Sequence, residues 1–394
     1  MVATCRLGFG AREQSPRGSP PRYRRGVRGA LAGSWPALRI FLWSRAAIWA
    51  LAAGTVLVAD DRLNPHRAPW DTPRLHEVGP VVDVWARWDS NWYVRIAESG
   101  YSWPSSTPAF FPAYPALVSG LGRVLGDRFV LSGVLVSLTA CAASFVLLHR
   151  LVRGRLGAGT ATRSVLYLAL FPTSFFLGAV YGESLFLLLA IATFVLAERG
   201  RIGWASVATG LALLTRAQGL ALLPALAVFA WRTDRRGRNL ALLLVPVAMF
   251  SVFPVVLEVW VGRGLAFVDA QRLWERSLSP FGPLGGLGQA VGEGDLVGPV
   301  LAIAMLVLGV LAWRILGAPY GLYALAALIL PMSLPSARLG GLYSFPRFAL
   351  VAFPCLVALA ALGRDRRIHA GAIAVLAAGL ALGVVRWALW YWVA

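Results

Sequence analysis

The sequence predicts an all-helical protein that crosses a membrane many times. Of its 394 residues, 58% are hydrophobic and 14% are charged. Uninterrupted apolar runs of about 18 or more residues recur along the chain, which is the length that a helix needs to cross a bilayer. These runs are longer than the strands of a membrane barrel and lack strict alternation of apolar and polar residues. The predicted fold class is therefore all-α, a polytopic helical membrane protein.

The apolar runs predict about eleven spans, all within one transmembrane module that covers residues 38–394. The predicted spans are 38–59, 128–149, 163–181, 183–198, 203–214, 217–231, 239–261, 296–314, 318–334, 346–363 and 370–392. Residues 1–37 are polar and rich in Pro, Gly and Arg, which is typical of a disordered tail. Residues 60–127 form the first extracytoplasmic loop.

The distribution of charge predicts the orientation in the membrane. The formal net charge is +19, and every basic residue is Arg. With the N-terminus in the cytoplasm, arginines concentrate in the inside loops at 150–163, 199–201, 232–238 and 364–367, whereas the outside segments take nearly all the acids. The arginines are spread over short loops and form no single basic face, so no nucleic-acid partner is expected. The all-Arg composition is typical of a GC-rich bacterium, whose plasma membrane is the expected location.

Residues 110–125 are apolar, but they are short and interrupted by prolines. If they crossed the membrane, the arginines at 150–155 would lie outside. We therefore predict an interfacial helix in the first outer loop. The short span 183–198 and the tight helical pair 203–231 are further irregularities, which are tolerated at membrane depth where they line a cavity.

Asp89 is a carboxylate in an aromatic environment. A helical wheel places one aromatic face on this part of the outer loop: Trp85, Trp88, Trp92, Tyr93 and Ile96. Asp89 falls within that face, whereas Asp83 and Arg87 fall opposite. Such a carboxylate costs desolvation free energy unless it is paired or used in chemistry. Two interpretations stay open: Asp89 caps the following helix or pairs with Arg87, or it is a general base beside rings that stack on sugars.

Three further charges lie at apolar positions. Glu183 lies at the outer end of a predicted span, where it is either a functional group or a helix-capping carboxylate. Arg216 and Arg347 lie at the outer leaflet and break the positive-inside pattern. A guanidinium there suits a phosphate, which it binds through two hydrogen bonds. The alternative for both arginines is a buried pair with Glu183 or Asp89.

Several chemistries are absent from the sequence. There is no phosphate-binding glycine loop with Lys, so ATP-driven transport is excluded. His and Cys residues form no metal-ligand spacing, and no nucleophile elbow with a catalytic triad occurs. We therefore expect no metal and no cofactor. No predicted soluble domain is large enough to bind a nucleotide sugar, so any sugar donor must arrive in the membrane.

Two blocks of the first outer loop resemble a known family. Residues 87–101 read Arg-Trp-Asp-Ser-Asn-Trp-Tyr-x-x-Ile-Ala-x-x-Gly-Tyr, and residues 110–115 read Phe-Phe-Pro-Ala-Tyr-Pro. This pattern resembles the PIG-V-like mannosyltransferases, which are membrane glycosyltransferases of the GT-C type. Weaker similarities follow in order at 171–186, 214–220 and 345–348, so the resemblance covers most of residues 38–363.

The resemblance implies a GT-C-like fold and an inverting mannosyl transfer on the extracytoplasmic side. The expected partners are a polyprenyl-phosphate-linked sugar donor, a lipid or glycan acceptor and membrane lipids. The family's essential acid maps to Asp89. The substrate-binding residues that we predict beside it are Trp88, Trp92, Tyr93, Glu183, Arg216 and Arg347. A transporter or flippase for a lipid-linked sugar is the alternative, although the chain shows no repeated halves that would favour it.

The predicted orientation can be tested by cysteine labelling in sealed cells. A cysteine introduced at Ser105 should react with a membrane-impermeant thiol reagent from outside, whereas one at Thr233 should not. The reason is the partition of arginines and acids between the two sides. Labelling of position 233 from outside would overturn the orientation.

Overall fold

The computed structural model describes residues 33–59, 63–64, 66–272 and 274–393. Most of the tail predicted at 1–37 lies outside the described residues, and the first described helix begins at Trp35. Regular structure in the described ranges is helical, apart from two isolated β-bridges. The all-α prediction is therefore confirmed.

The α-helices of the described ranges are numbered here in chain order. They are α1 (Trp35–Val58), α2 (Pro80–Asp83), α3 (Ser90–Ser99), α4 (Ala113–Val124), α5 (Phe129–Leu156), α6 (Ala158–Leu170), α7 (Glu183–Glu198), α8 (Ile202–Leu213), α9 (Leu222–Trp231), α10 (Arg236–Ala241), α11 (Leu244–Val261), α12 (Ala266–Arg272), α13 (Pro283–Gly292), α14 (Val297–Leu316), α15 (Ala318–Met332), α16 (Phe345–Leu350), α17 (Phe353–Leu362) and α18 (Arg366–Ala388). Short 3₁₀ helices cover Pro73–Leu75, Thr107–Ala109, Ser174–Leu177 and Ala217–Ala221.

Five helical stretches are long and apolar enough to cross a membrane: α1, α5, α10 with α11, α14 and α18. Shorter apolar helices include α8, α15, α17 and the stretch Ala217–Trp231. Each predicted span overlaps one or two helices, and the number of crossings stays a prediction. The predicted short helix at 110–125 is present as α4, and its place at the membrane interface stays a prediction.

The span predicted at 163–181 is wrong in its second half. Helix α6 ends at Leu170, and Phe171 adopts extended ψ of 139°. The cause is Pro172, since its ring disfavours a helical conformation in the preceding residue. The following segment, residues 171–182, is irregular and carries one short 3₁₀ helix.

The span predicted at 346–363 is also divided. Helix α16 ends at Leu350 and α17 begins at Phe353. Pro354 explains the break, because it has no N–H to donate and its ring would clash with the carbonyl four residues earlier.

The helical wheel drawn over residues 85–96 is wrong before Ser90, where α3 begins. Trp88 has a φ of +55°, which a continuous helix does not allow. Asp83 therefore does not lie on the opposite face of the helix that follows Asp89. It ends α2, and its carboxylate accepts three backbone N–H groups of residues 77–79 at 2.8–3.1 Å.

Segment 171–182 lies inside the helical core. Phe175, Phe176 and Tyr181 are fully buried, and their rings pack around Trp387 of α18 with centroid distances of 5.2–5.7 Å. Arg45 of α1 donates to a carbonyl of the same segment at 2.7 Å. Irregular backbone at membrane depth is tolerated where protein buries it. Helices α1 and α18 thus support the segment on which the candidate site is built.

Candidate active site

Four charged side chains from separate segments form one buried ion-pair cluster. Arg347 Nη1 lies 2.8 Å from Asp89 Oδ2, and Arg347 Nε lies 3.3 Å from Glu183 Oε1. Glu183 also pairs with Arg216. The four side chains expose only 1–12% of their surface. Because each charge faces an opposite charge, the cluster offsets part of the desolvation that its burial requires.

The two acids of the cluster lie on two segments that are joined by hydrogen bonds. Tyr181 accepts the backbone N–H of Asp89 at 3.0 Å and donates its hydroxyl to the Arg87 carbonyl at 3.1 Å. The Val180 N–H donates to the carbonyl of residue 85 at 2.9 Å, so segment 85–89 lies along residues 180–181. Glu183 follows directly as the first residue of α7.

The two arginines are placed where helices are interrupted. Arg216 is extended, with φ of −160°, immediately before a 3₁₀ helix. Arg347 lies in the short helix α16, after Ser344 with φ of +66°. Gln218 donates its amide to carbonyls of α15 and α16 at 3.2 and 3.3 Å. Thr173 donates to another α16 carbonyl at 2.9 Å, so α16 is held against both irregular segments.

Asp89 lies at the border of two cavities. The first has a volume of about 150 Å³, and Asp89 lines it together with Tyr93, Arg216, Arg276 and Arg347. The second has about 180 Å³ and an aromatic wall. Its tryptophans are Trp70, Trp88, Trp92, Trp274 and Trp392. The Asp89 carboxylate thus lies between a cavity lined by arginines and a cavity lined by tryptophans.

Arg276 is a site residue that the sequence analysis missed. Its guanidinium lies 5.5 Å from the ring centre of Phe348 and forms no ion pair within the described residues. Burial, together with the nearby charge of Arg347, lowers the pKa of Arg276 to about 10. Arg276 lies in a predicted outer segment, where an arginine breaks the positive-inside pattern. Arg263 and Arg272 of that segment share this signal, but they pair with Asp269 instead.

The second cavity contains unused hydrogen-bond donors. The indole N–H groups of Trp88, Trp92 and Trp392 are buried and make no hydrogen bond to the described residues. Buried polar groups almost always have partners in folded proteins.

The structure decides between some of the alternatives left by the sequence. The Asp89 side chain makes no capping hydrogen bond to α3, and its ion-pair partner is Arg347 rather than Arg87. The arginine–acid pairing that the sequence left open is present for both Arg216 and Arg347. Glu183 lines neither cavity, and its contacts are with the two arginines.

No group of three or more His, Cys, Asp and Glu side chains comes together in the described part of the chain.

Residues 78–232 match the family described as Mannosyltransferase (PIG-V). The matched stretch contains Asp89, Glu183 and Arg216. This stretch therefore resembles the PIG-V mannosyltransferases. The chain is 33% identical over 159 residues to the GPI alpha-1,6-mannosyltransferase 2 of Homo sapiens, a match that covers 36% of this chain. The same match spans about a third, 32%, of that relative's length.

The fold is similar to that of ArnT from Cupriavidus metallidurans, whose crystal structure was determined bound to undecaprenyl phosphate. The TM-score is 0.53, with 15% sequence identity, and the likeness covers 92% of this chain and 77% of ArnT. At this identity the likeness concerns the fold alone. The GT-C-like fold of a multi-pass membrane protein is thereby confirmed.

Replacement of Glu183 by Gln should strongly destabilise the protein. The change removes the carboxylate that faces two buried guanidinium groups and leaves their repulsion uncompensated. A loss of about 3–5 kcal/mol is expected when one partner of a buried pair is removed. The measurement is the unfolding midpoint of the purified protein in detergent micelles.

Asp269→Asn is the matched control, because it breaks ion pairs whose arginines are more than half exposed. Exposed pairs contribute about 0–1 kcal/mol. Equal shifts of the midpoint for the two variants would contradict a buried, interdependent cluster.

Proposed function

We propose that this PIG-V-like protein is an inverting mannosyltransferase that uses a polyprenyl-phosphate-linked mannose donor on the extracytoplasmic face, with Asp89 as general base. The observation that carries this proposal is the position of Asp89 between an arginine-lined cavity and a tryptophan-lined one. The family match over residues 78–232 supports mannosyl transfer. The outward-facing site follows from the charge pattern of the loops.

The charge of the first cavity suits the donor. Arg276 adds a third guanidinium beside the two arginines and two carboxylates of the ion-pair cluster, so these five side chains together carry one positive charge in excess. A sugar linked to a lipid through a phosphodiester carries one negative charge. Guanidinium groups bind phosphate oxygens through paired hydrogen bonds. Undecaprenyl phosphate bound to ArnT supports a lipid phosphate in this fold.

The second cavity suits a carbohydrate. Aromatic rings stack on the apolar faces of sugar rings, and the unused indole N–H groups of Trp88, Trp92 and Trp392 can donate to sugar oxygens. In this arrangement the anomeric carbon lies near Asp89, with the phosphate toward Arg347. The acceptor hydroxyl approaches from the opposite side of the anomeric carbon.

In the proposed reaction, Asp89 takes the proton of the acceptor hydroxyl while that oxygen bonds to the anomeric carbon. The bond between the anomeric carbon and the phosphate oxygen breaks, and its electron pair leaves with the lipid phosphate. Configuration at the carbon is inverted. The arginines receive the developing charge of the phosphate, so the protein supplies positioning, base catalysis and electrostatic stabilisation.

The ion pair between Asp89 and Arg347 places the proposed base beside the proposed phosphate ligand. A donor phosphate that draws Arg347 toward itself would free Asp89 Oδ2, the oxygen that contacts the guanidinium, to accept the proton of the acceptor hydroxyl.

Asp89→Asn should abolish most transfer, and the protein should still fold, because Arg347 keeps its contact with Glu183. Asn has nearly the same size and still accepts a hydrogen bond from Arg347, but it cannot take a proton. Turnover should fall by roughly 10²–10⁴-fold, the usual contribution of a positioned general base. Asp89→Glu should also fail, because it displaces the carboxylate by about one methylene. The assay incubates purified protein with polyprenyl-phosphate-mannose and a lipid extract and detects the product by mass spectrometry.

Asp127→Asn is the control for this series. Asp127 is an exposed acid of the same outer loop with φ of +63°, a conformation that Asn tolerates. Asp83 is not suitable as a control, because its carboxylate holds three backbone N–H groups that Asn could not satisfy equally. Near-normal transfer by Asp89→Asn would show that Asp89 has a structural role only.

Arg347→Ala should weaken use of the donor more than use of the acceptor, because a phosphate contact is lost. Arg347→Lys should restore only part of the activity, since Lys supplies charge without the paired geometry. The measurement is the KM for each substrate, with kcat recorded separately. Arg263→Ala, a change at an exposed arginine outside both cavities, should leave both values unchanged. A rise in the acceptor KM alone would refute the phosphate assignment.

A further inference from the structure

A third cavity, larger than the other two, lies apart from the ion-pair cluster. It has a volume of about 540 Å³ and shares no lining residue with the two cavities of the candidate active site. Its walls are the C-terminal ends of α1 and α18 and the outer-loop residues between 64 and 87. Trp88 and Trp390, whose ring centres lie 6.2 Å apart, stand between it and the tryptophan-lined cavity. The volume is within the range of small-molecule sites.

Arg87 lines this cavity and has no ion-pair partner among the described residues. Only 7% of the residue is exposed, and its Nε and Nη1 atoms are buried without a hydrogen bond. The guanidinium lies 4.4 Å from the ring centre of Trp390, which stabilises its charge in part. Burial lowers the pKa of Arg87 to about 9, a sign that its charge is poorly compensated. Arg45, the buried arginine of α1, donates to three oxygen atoms instead.

The carboxylates around the cavity are already engaged. Asp83 accepts the three N–H groups of residues 77–79. Glu77 accepts two N–H groups at the start of α5, at 2.9 and 3.1 Å. Asp71 pairs with Arg67 at 2.7 Å and with His76 at 2.6 Å. Among the described charged residues of this cavity, Arg87 is the one whose hydrogen-bonding capacity is unused.

We propose that this cavity binds the phosphate of a membrane lipid headgroup, with Arg87 as the principal ligand. The guanidinium offers paired donors that match phosphate oxygens. The cavity opens between the ends of two helices that are long enough to span the membrane, where a headgroup lies when its acyl chains remain in the bilayer. The carboxylates at its edge can accept hydrogen bonds from hydroxyl or ammonium groups of the headgroup. The proposal does not depend on mannosyl transfer.

The test measures binding of short-chain lipids to the purified full-length protein in detergent by isothermal titration calorimetry. The probes are dihexanoyl phosphatidic acid, dihexanoyl glycerol without phosphate, and inorganic phosphate. Phosphatidic acid should bind with saturation, whereas the glycerol lipid should not. Arg87→Gln should weaken this binding by about 10–100-fold, the contribution of charge-assisted hydrogen bonds. Arg263→Gln, a change at an exposed arginine outside all three cavities, is the control and should leave the binding of phosphatidic acid unchanged.

Each other outcome overturns the proposal in a defined way. Loss of binding in Arg276→Gln, a change in the first cavity, but not in Arg87→Gln would place the lipid phosphate in the candidate active site. Equal affinity for inorganic phosphate would show that a free anion, not a lipid, is the ligand. Absence of saturable binding of phosphatidic acid would show that the cavity does not bind a lipid phosphate. If Arg87→Gln does not fold, Arg87→Lys is measured instead, because it keeps a positive charge over Trp390. Unchanged affinity for phosphatidic acid in Arg87→Lys would refute the role of the guanidinium.

Discussion

The buried pairing of two carboxylates with two guanidinium groups is the constraint on which the rest of the site depends. Charges at this depth are tolerated only when they face one another, because the protein interior solvates them poorly. Asp89, Glu183, Arg216 and Arg347 come from four segments that are distant in the sequence. Their pairing therefore requires the first outer loop, the segment before α7, the turn after α8 and helix α16 to meet at one place.

Interrupted helices make this meeting possible. A continuous helix would satisfy its backbone internally and present side chains only along its sides. Pro172 and Pro354 end or divide helices beside the cluster, and side chains hold the irregular segments together. Tyr181 accepts the Asp89 N–H, Thr173 donates to the Pro346 carbonyl, and Gln218 donates to the Ala327 carbonyl. The same irregular backbone is stable only because the surrounding helices bury it. The geometry of the site thus depends on the packing of the surrounding helices.

The sequence predicted the features that depend on local composition, and it missed those that depend on long-range placement. Apolar runs gave the helices, and charges at apolar positions identified Asp89, Glu183, Arg216 and Arg347. The helical wheel failed at Trp88 because its positive φ is imposed by tertiary contacts, not by local preference. Arg276 was missed because nothing nearby in the sequence distinguishes it from Arg263, which pairs with Asp269. Both cavities beside Asp89 likewise arise from segments far apart in the chain.

The Tyr181 hydroxyl joins the backbone of Arg87 to that of Asp89 within one turn. The side chains of those two residues face different cavities. Any ligand that shifts the backbone at Arg87 must therefore also disturb the carboxylate two residues later. If such a ligand changes the affinity for the donor, thermodynamic linkage requires the donor to change the affinity for that ligand by the same factor. The lipid composition of the membrane would then affect the candidate active site through this one phenol.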